Sequence, residues 1–212
     1  MHKFQISAVE PAFESPPVLG GLLGIVSRAV AMGLLREPGI QRLDAASLRN
    51  VLDALQSGGL LGGERARLAA LLQPRALHGM EQDAGMALQR VIDILEESPA
   101  PATEWAPMRD IFGDEVLADL LLISVSSLRR YAAGERATPT PVADRLHWVA
   151  MVVSDLAGSY NEYGIRRWFE RERSQLDGRS PRKLLGSRWQ STDASAYRIR
   201  TLAANLVGAG AT

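Results

Sequence analysis

An all-α fold is the expectation for this chain of 212 residues. Three observations lead to it. Apolar residues recur three and four apart, the period of an amphipathic helix, as at Leu48, Val51, Leu52 and Leu55. No long run alternates apolar and polar residues, so few or no strands are expected. Gly and Pro cut the helical stretches into short segments. The composition, 46% hydrophobic and 23% charged, is that of an ordinary globular protein and excludes a mostly disordered or collagen-like chain. The length suits one large domain or two small ones.

Taken in order, the first fifteen residues run into Ser15-Pro16-Pro17, where proline restricts its own torsion and its neighbour's, so an extended lead-in is expected. Residues 18–35 read as a Gly-containing buried helix or helix pair. A membrane span is not expected there, because the stretch carries four glycines and a central Arg28. It also lacks the pattern of a secretory signal peptide. Asp44 is placed to cap a helix that Gly58-Gly59 stops. Gly62-Gly63 leads into a second short helix over 64–72, ended near Pro74, and a third covers 86–95. Ser98-Pro99-Ala100-Pro101-Ala102-Thr103 is the clearest break and reads as a connector. Helical spacing then resumes until about Gly208, and 208–212 look frayed. The division expected is a helical module over 1–97, a linker over 98–103, and two functional regions over 104–157 and 158–212.

The strongest local signal lies at 113–139. Val116, Leu117, Leu120 and Leu121 give a short apolar-faced helix, broken at Leu122-Ile123. Ser124 can cap a second helix over 125–133, stopped by Gly134. Leu128 and Tyr131 would face the core, leaving Val125, Ser126, Arg129 and Arg130 outward. That spacing matches a helix-turn-helix, whose second helix enters the DNA major groove. Arg pairs bidentately with guanine, and Ser serves phosphate or base. Leu117-Ala118, Ser124 and Gly134-Glu135-Arg136 resemble the Xre, or lambda-repressor-like, helix-turn-helix family. Leu122 stands where that family often has a turn Gly, which predicts a slightly different turn. The expected DNA-binding set is Ser124, Val125, Ser126, Ser127, Arg129, Arg130 and Arg136.

Further on, residues 141–157 read as a long helix whose apolar face holds Val142, Leu146, Val149, Val152, Val153 and Leu156, stopped by Gly158. Gly178 permits a positive φ and Pro181 suits the first turn of a helix. Leu176, Leu184 and Leu185 are placed to close over Trp168, which is expected in the core. Trp168-Phe169, then Leu176-Asp177-Gly178-Arg179-Ser180-Pro181, then Leu184-Leu185, resemble the C-terminal toxin-binding region of the MbcA/ParS/Xre antitoxin family. A looser similarity extends over 196–206. Glu172 stands where the family commonly has a proline. The resemblance implies an Xre-like helix-turn-helix bundle joined to a helical toxin-binding domain, with 1–97 as an extra module.

Functionally, it implies the cytoplasmic antitoxin of a type II toxin–antitoxin system. Such a protein binds operator DNA, represses its own operon, and blocks a RES-type toxin that consumes NAD. A homodimer or a larger hetero-oligomer with the toxin is implied. The expected partner-binding surface is Arg166, Arg167, Arg171, Arg173, Arg179, Arg182, Arg198 and Arg200. Residues 197–212 are a candidate tail to occupy the toxin's active-site mouth.

Charge supports a basic surface here. Lys+Arg and Asp+Glu both number 24, yet residues 124–200 hold 14 of the basic and only 8 of the acidic groups. All but Lys3 and Lys183 of the basic residues are Arg, the forked donor suited to phosphate, base edges and carboxylates.

Enzymatic readings find little. With no Cys, disulfides, thiolate zinc sites and cysteine nucleophiles are excluded. His2, His78 and His147 are far apart in sequence and show no metal-ligand spacing, and His147 is expected in the core. Gly20-Gly21-x-x-Gly24 lacks the Gly-Lys-Ser/Thr of a phosphate loop. Glu170 and Glu172, two apart, would point to different sides of a helix. No catalytic residue, metal or cofactor is therefore expected. Two rival readings remain: a stand-alone helix-turn-helix regulator without a toxin, and a protein–protein adaptor whose helix-turn-helix touches no DNA.

Overall fold

The structure, a computed structural model, describes residues 6–35 and 40–209. It is all-α, apart from a parallel pair of two-residue strands, β1 (Ala8–Val9) and β2 (Arg42–Leu43), with Ala8 opposite Arg42. The helices are α1 (Pro16–Ala31), α2 (Ala45–Ser57), α3 (Glu64–Leu71), α4 (Pro74–Leu77), α5 (Glu81–Glu96), α6 (Pro101–Leu120), α7 (Val125–Ala132), α8 (Thr140–Leu156), α9 (Glu162–Glu170), α10 (Pro181–Leu185) and α11 (Ala194–Ala209). Among the described residues no helix is long and apolar enough to cross a membrane. Two compact units result, one made of residues up to 98 without 31–33, the other of 99–209 with 31–33.

In the N-terminal unit the apolar stretch after the prolines is a single helix, not a pair. It begins at Pro16, because a proline's missing N–H costs nothing in a first turn. Val18, Leu22, Ile25, Val26 and Ala29 are buried. Two of its glycines are required by packing. A Cβ on Gly21 would stand 2.6 Å from Leu88 Cβ, and one on Gly24 would stand 2.7 Å from Ile92 Cδ1, so α1 and α5 close up only without them. Arg28, the charge in this stretch, donates from Nε to Glu96 at 3.0 Å. Asp44 caps α2 as expected. Its carboxylate accepts from the Ala46 and Ser47 amides at 3.0 and 2.9 Å, and Ser47 Oγ accepts from the Asp44 amide in return. Such a cap contributes about 1 kcal/mol. The helix expected at 86–95 starts earlier, at Glu81, where Glu81 and Asp83 sit in the first turn and complement the helix dipole.

The C-terminal unit joins 104–157 and 158–212, as far as they are described, in one body. The linker expected over 98–103 is shorter, since Pro101 already opens α6 with proline in its first turn. At Gly113 (φ 72°, ψ 167°) α6 breaks into two arms, 101–112 and 114–120. α8 is covered on nearly all sides and packs against both α6 and α11. α11 buries Ala196, Ile199 and Ala203 and extends through Ala209, so Gly208 and Ala209 are helical rather than frayed. Residues 210–212 lie outside the described residues.

Candidate nucleic-acid interface

The 114–120 arm and α7 meet through a tight turn. The Leu122 amide donates to the Asp119 carbonyl at 3.1 Å and the Ile123 amide to the Ala118 carbonyl at 3.0 Å. These two bonds make a Schellman motif, and its pivot, Leu122, has φ 58°. The altered turn expected from Leu in place of Gly is therefore not formed. Leu122 takes the left-handed torsion itself, at a strain of roughly 1–2 kcal/mol. α7 ends in the same motif, with Gly134 (φ 71°) as its pivot and amide bonds from Gly134 to Tyr131 and from Glu135 to Arg130.

What holds the strained turn is contributed from far along the chain. Trp189, fully buried, donates its indole N–H to the Leu120 carbonyl at 2.9 Å. Arg145 on α8 donates to the Leu121 carbonyl at 3.3 Å and to the Trp189 carbonyl at 3.0 Å. Its guanidinium lies 5.9 Å from the centre of the Trp189 ring, and Trp148 meets that ring edge-on at 4.8 Å. The carbonyls of Leu120 and Leu121, which the amides of the turn leave open, are thus satisfied by side chains.

On α7, Ser124 is the cap, its Oγ accepting from the Ser127 amide at 3.1 Å. Leu128 and Tyr131 are buried as expected, with Tyr131 stacked on Trp105 at 6.3 Å. Ser126, Arg129, Arg130 and Arg136 are exposed and Val125 and Ser127 half-buried. Arg136 lies over Tyr131 at 5.8 Å. Arg130 has no ion-pair or side-chain hydrogen-bond partner among the described residues. Arg129 is held: its Nε donates to Asp114 at 2.8 Å, and Arg109 donates to the other oxygen of that carboxylate at 2.8 Å. Arg109 and then Arg129, each hydrogen-bonded to it, keep the Asp114 carboxyl below the ordinary aspartate value. With 66% of its side chain exposed, Arg129 is oriented by this bond rather than hidden.

The eight arginines of the expected partner surface divide. Arg166 donates from Nε to the Ile111 carbonyl at 2.9 Å, closing the arm that ends at the Gly113 break. Arg182 bridges Asp119 at 2.7 Å and Glu170 at 2.6 Å, and these bonds, Glu170's first, hold its guanidinium more firmly protonated. Arg200, mostly covered, donates to buried Asp155 at 2.6 Å. Arg198 reaches Asp177 at 3.0 Å and the Gln175 carbonyl at 3.1 Å. Arg173 is half-buried, 4.7 Å above the Trp168 ring, and burial lowers its pKa. Those five therefore tie the unit together. Arg167 lies over Tyr163 at 5.6 Å, and Arg179 stands 3.9 Å from Asp177. Arg167, Arg171 and Arg179 are exposed, as are Arg166 and Arg198 despite their bonds.

Trp168 and Leu176 are core, Leu185 is buried and Leu184 half-buried. Pro181 opens α10 and Gly178 has φ 74°, as expected, with Asp177 before it also left-handed at 56°. Residues 197–209 are not a free tail, because α11 packs on α8 through its buried face. Its open face includes Tyr197, 72% exposed.

Sequence reasoning missed Asp114, Arg109, Arg145, Trp189 and Glu104. Glu104 is fully buried, and its Oε1 lies 2.6 Å from Nδ1 of buried His147, while Oε2 has no hydrogen-bond partner among the described residues. No group of three or more His, Asp or Glu among the described residues is arranged to hold a metal ion. Comparison with protein-family models, curated proteins and solved structures finds no match.

Proposed function

We propose that the chain is a cytoplasmic DNA-binding autorepressor and antitoxin of the MbcA/ParS/Xre type, acting as a homodimer and pairing with a RES-type toxin. The observation that supports it most is the outer face of α7. Leu128 and Tyr131 anchor the helix, Ser126, Arg129 and Arg130 stand exposed, and Asp114 fixes the direction of Arg129. Preset side-chain geometry suits a bidentate base contact, because less freedom is lost on binding. The reading assigns the chain no reaction and no cofactor. A short recognition helix makes few phosphate contacts, so two copies on two half-sites are expected.

The test is fluorescence anisotropy with the duplex upstream of the coding sequence, across a salt series. Binding should weaken steeply with salt. Arg129→Ala with Arg130→Ala should cost at least about 2 kcal/mol, roughly thirtyfold in affinity. Unaltered binding by the double variant would show that this helix does not read the duplex.

A second reading, the stand-alone regulator without a toxin, is favoured by one observation. Arg166, Arg173, Arg182, Arg198 and Arg200 are engaged within the chain, which leaves a smaller basic surface for a partner. Co-expression with the adjacent reading frame separates the two. Co-purification and rescue of growth support the antitoxin, and their absence alongside intact promoter binding supports the regulator.

A further inference from the structure

The N-terminal unit carries a face that its own residues leave unsatisfied. α3, α4 and the first half of α5 frame a groove of about 660 Å³, with Leu71, Met80 and Met86 among its apolar lining and Arg67, Asp83 and Arg90 as its charged residues. Met80 is 41% and Met86 56% exposed. Met is an adaptable side chain suited to contact surfaces. Arg67, Asp83 and Arg90 have no ion-pair or side-chain hydrogen-bond partner among the described residues.

Three of these residues share one stripe of α5. Asp83, Met86 and Arg90 follow the spacing i, i+3, i+7, so the two charges lie about 10 Å apart along the helix, two turns, with the Met between them. The order acid–Met–base is complementary to itself when reversed. Laid antiparallel about a two-fold axis near Met86, a second α5 sets Asp83 against the partner's Arg90, Arg90 against the partner's Asp83, and Met86 against its own copy. A parallel arrangement would oppose like charges at both ends. Each residue of such an interface serves twice, as an isologous contact requires.

We propose that this face is where a second copy of the chain docks, through an antiparallel α5 pair. An acidic peptide in the groove would meet its own sign at Asp83, and a basic one at both Arg67 and Arg90. A second copy meets its opposite at both ends of the stripe. The proposal concerns self-association of the free protein and does not depend on whether the chain binds DNA or a toxin.

Sedimentation velocity on the full chain, without nucleic acid, tests it across a concentration series. The wild type sediments as a dimer. Asp83→Arg and Arg90→Asp each raise the dimer dissociation constant at least about tenfold, since each change acts twice across the axis. Met86→Glu raises it further. The double variant Asp83→Arg with Arg90→Asp returns to the wild-type dimer, because the exchanged charges are again opposed. All three positions are exposed, so the circular dichroism spectrum stays unchanged. A wild type that is monomeric at every concentration overturns the proposal. So does a dimer that survives Met86→Glu and both single reversals, which would place the interface elsewhere. A double variant no better than the single ones overturns the antiparallel register.

Discussion

Replacing His147 by Leu should destabilise the C-terminal unit more than an ordinary substitution. His147 supplies the partner of Glu104 Oε1, at 2.6 Å, and Glu104 is fully buried with its second oxygen unpartnered among the described residues. Removing the imidazole leaves the Glu104 carboxyl group sealed in a helix interface without that partner. A buried polar group left without its hydrogen bond costs about 1–3 kcal/mol, a sizeable share of the roughly 5–15 kcal/mol that stabilises a typical domain. With a urea slope of about 2 kcal/mol per molar, the midpoint should fall by about 0.5–1.5 M.

The measurement can be confined to the right unit. All four tryptophans, Trp105, Trp148, Trp168 and Trp189, lie in the C-terminal unit and are buried, so their fluorescence follows that unit alone. The control is the double variant Glu104→Leu with His147→Leu. Replacing both members by apolar residues is often close to neutral, so it should recover towards the wild type. A single variant that loses less than about 1 kcal/mol, or a double variant that loses the sum of both singles, would refute the assignment of an interacting buried pair.

Trp189→Phe keeps an aromatic ring but removes the only donor it offers to the Leu120 carbonyl. It should destabilise the unit by about 2–4 kcal/mol, from the unpaired carbonyl and the cavity together, and speed hydrogen exchange at the Leu122 and Ile123 amides. Asp114→Asn should behave differently with pH. The folded pKa of Asp114 is depressed below the ordinary 3.8, so its stabilisation is present above that value and disappears as pH falls through the folded one. The stability gap between wild type and variant should therefore be constant near neutrality and close below about pH 4, as urea titrations at a series of pH values would show.

Much of the fold was legible because its signals are local. Asp44, Ser124, Gly134 and Pro181 each act on amides or torsions within three residues, and each sits in the structure where its chemistry demands. Two kinds of feature were not legible. The turn at Leu122 depends on strain held by groups distant in sequence, since Trp189 and Arg145 supply donors to carbonyls 69 and 24 residues away. No pattern around Leu122 announces them. The roles of the arginines were also hidden. A run such as Arg166, Arg171, Arg173 and Arg182 has one appearance in sequence, whether its members stand free in solvent or engage Ile111, Trp168 and Asp119. Partner choice is a property of packing, so it emerges only once α9 and α10 are placed against α6.

That packing bears on how two surfaces of the C-terminal unit relate. The stretch expected to bind a partner is not appended to the α6–α7 pair; it supplies some of the contacts that hold that pair. Arg166 on α9 closes the first arm of α6, Arg182 on α10 bridges its second arm to α9, and Trp189 just beyond α10 bonds to its last turn. A cleft of about 390 Å³ between these elements is lined by Leu120, Leu122, Glu170, Arg182 and Trp189 together. A molecule that pressed on α9 or α10 would act on the same residues that hold Leu122 in its strained torsion, and hence on the angle at which α7 leaves the turn. Interfaces packed this closely shift between discrete arrangements rather than deform smoothly. Under the proposed function, toxin and operator would then be linked through Trp189, each changing the other's affinity by the same factor.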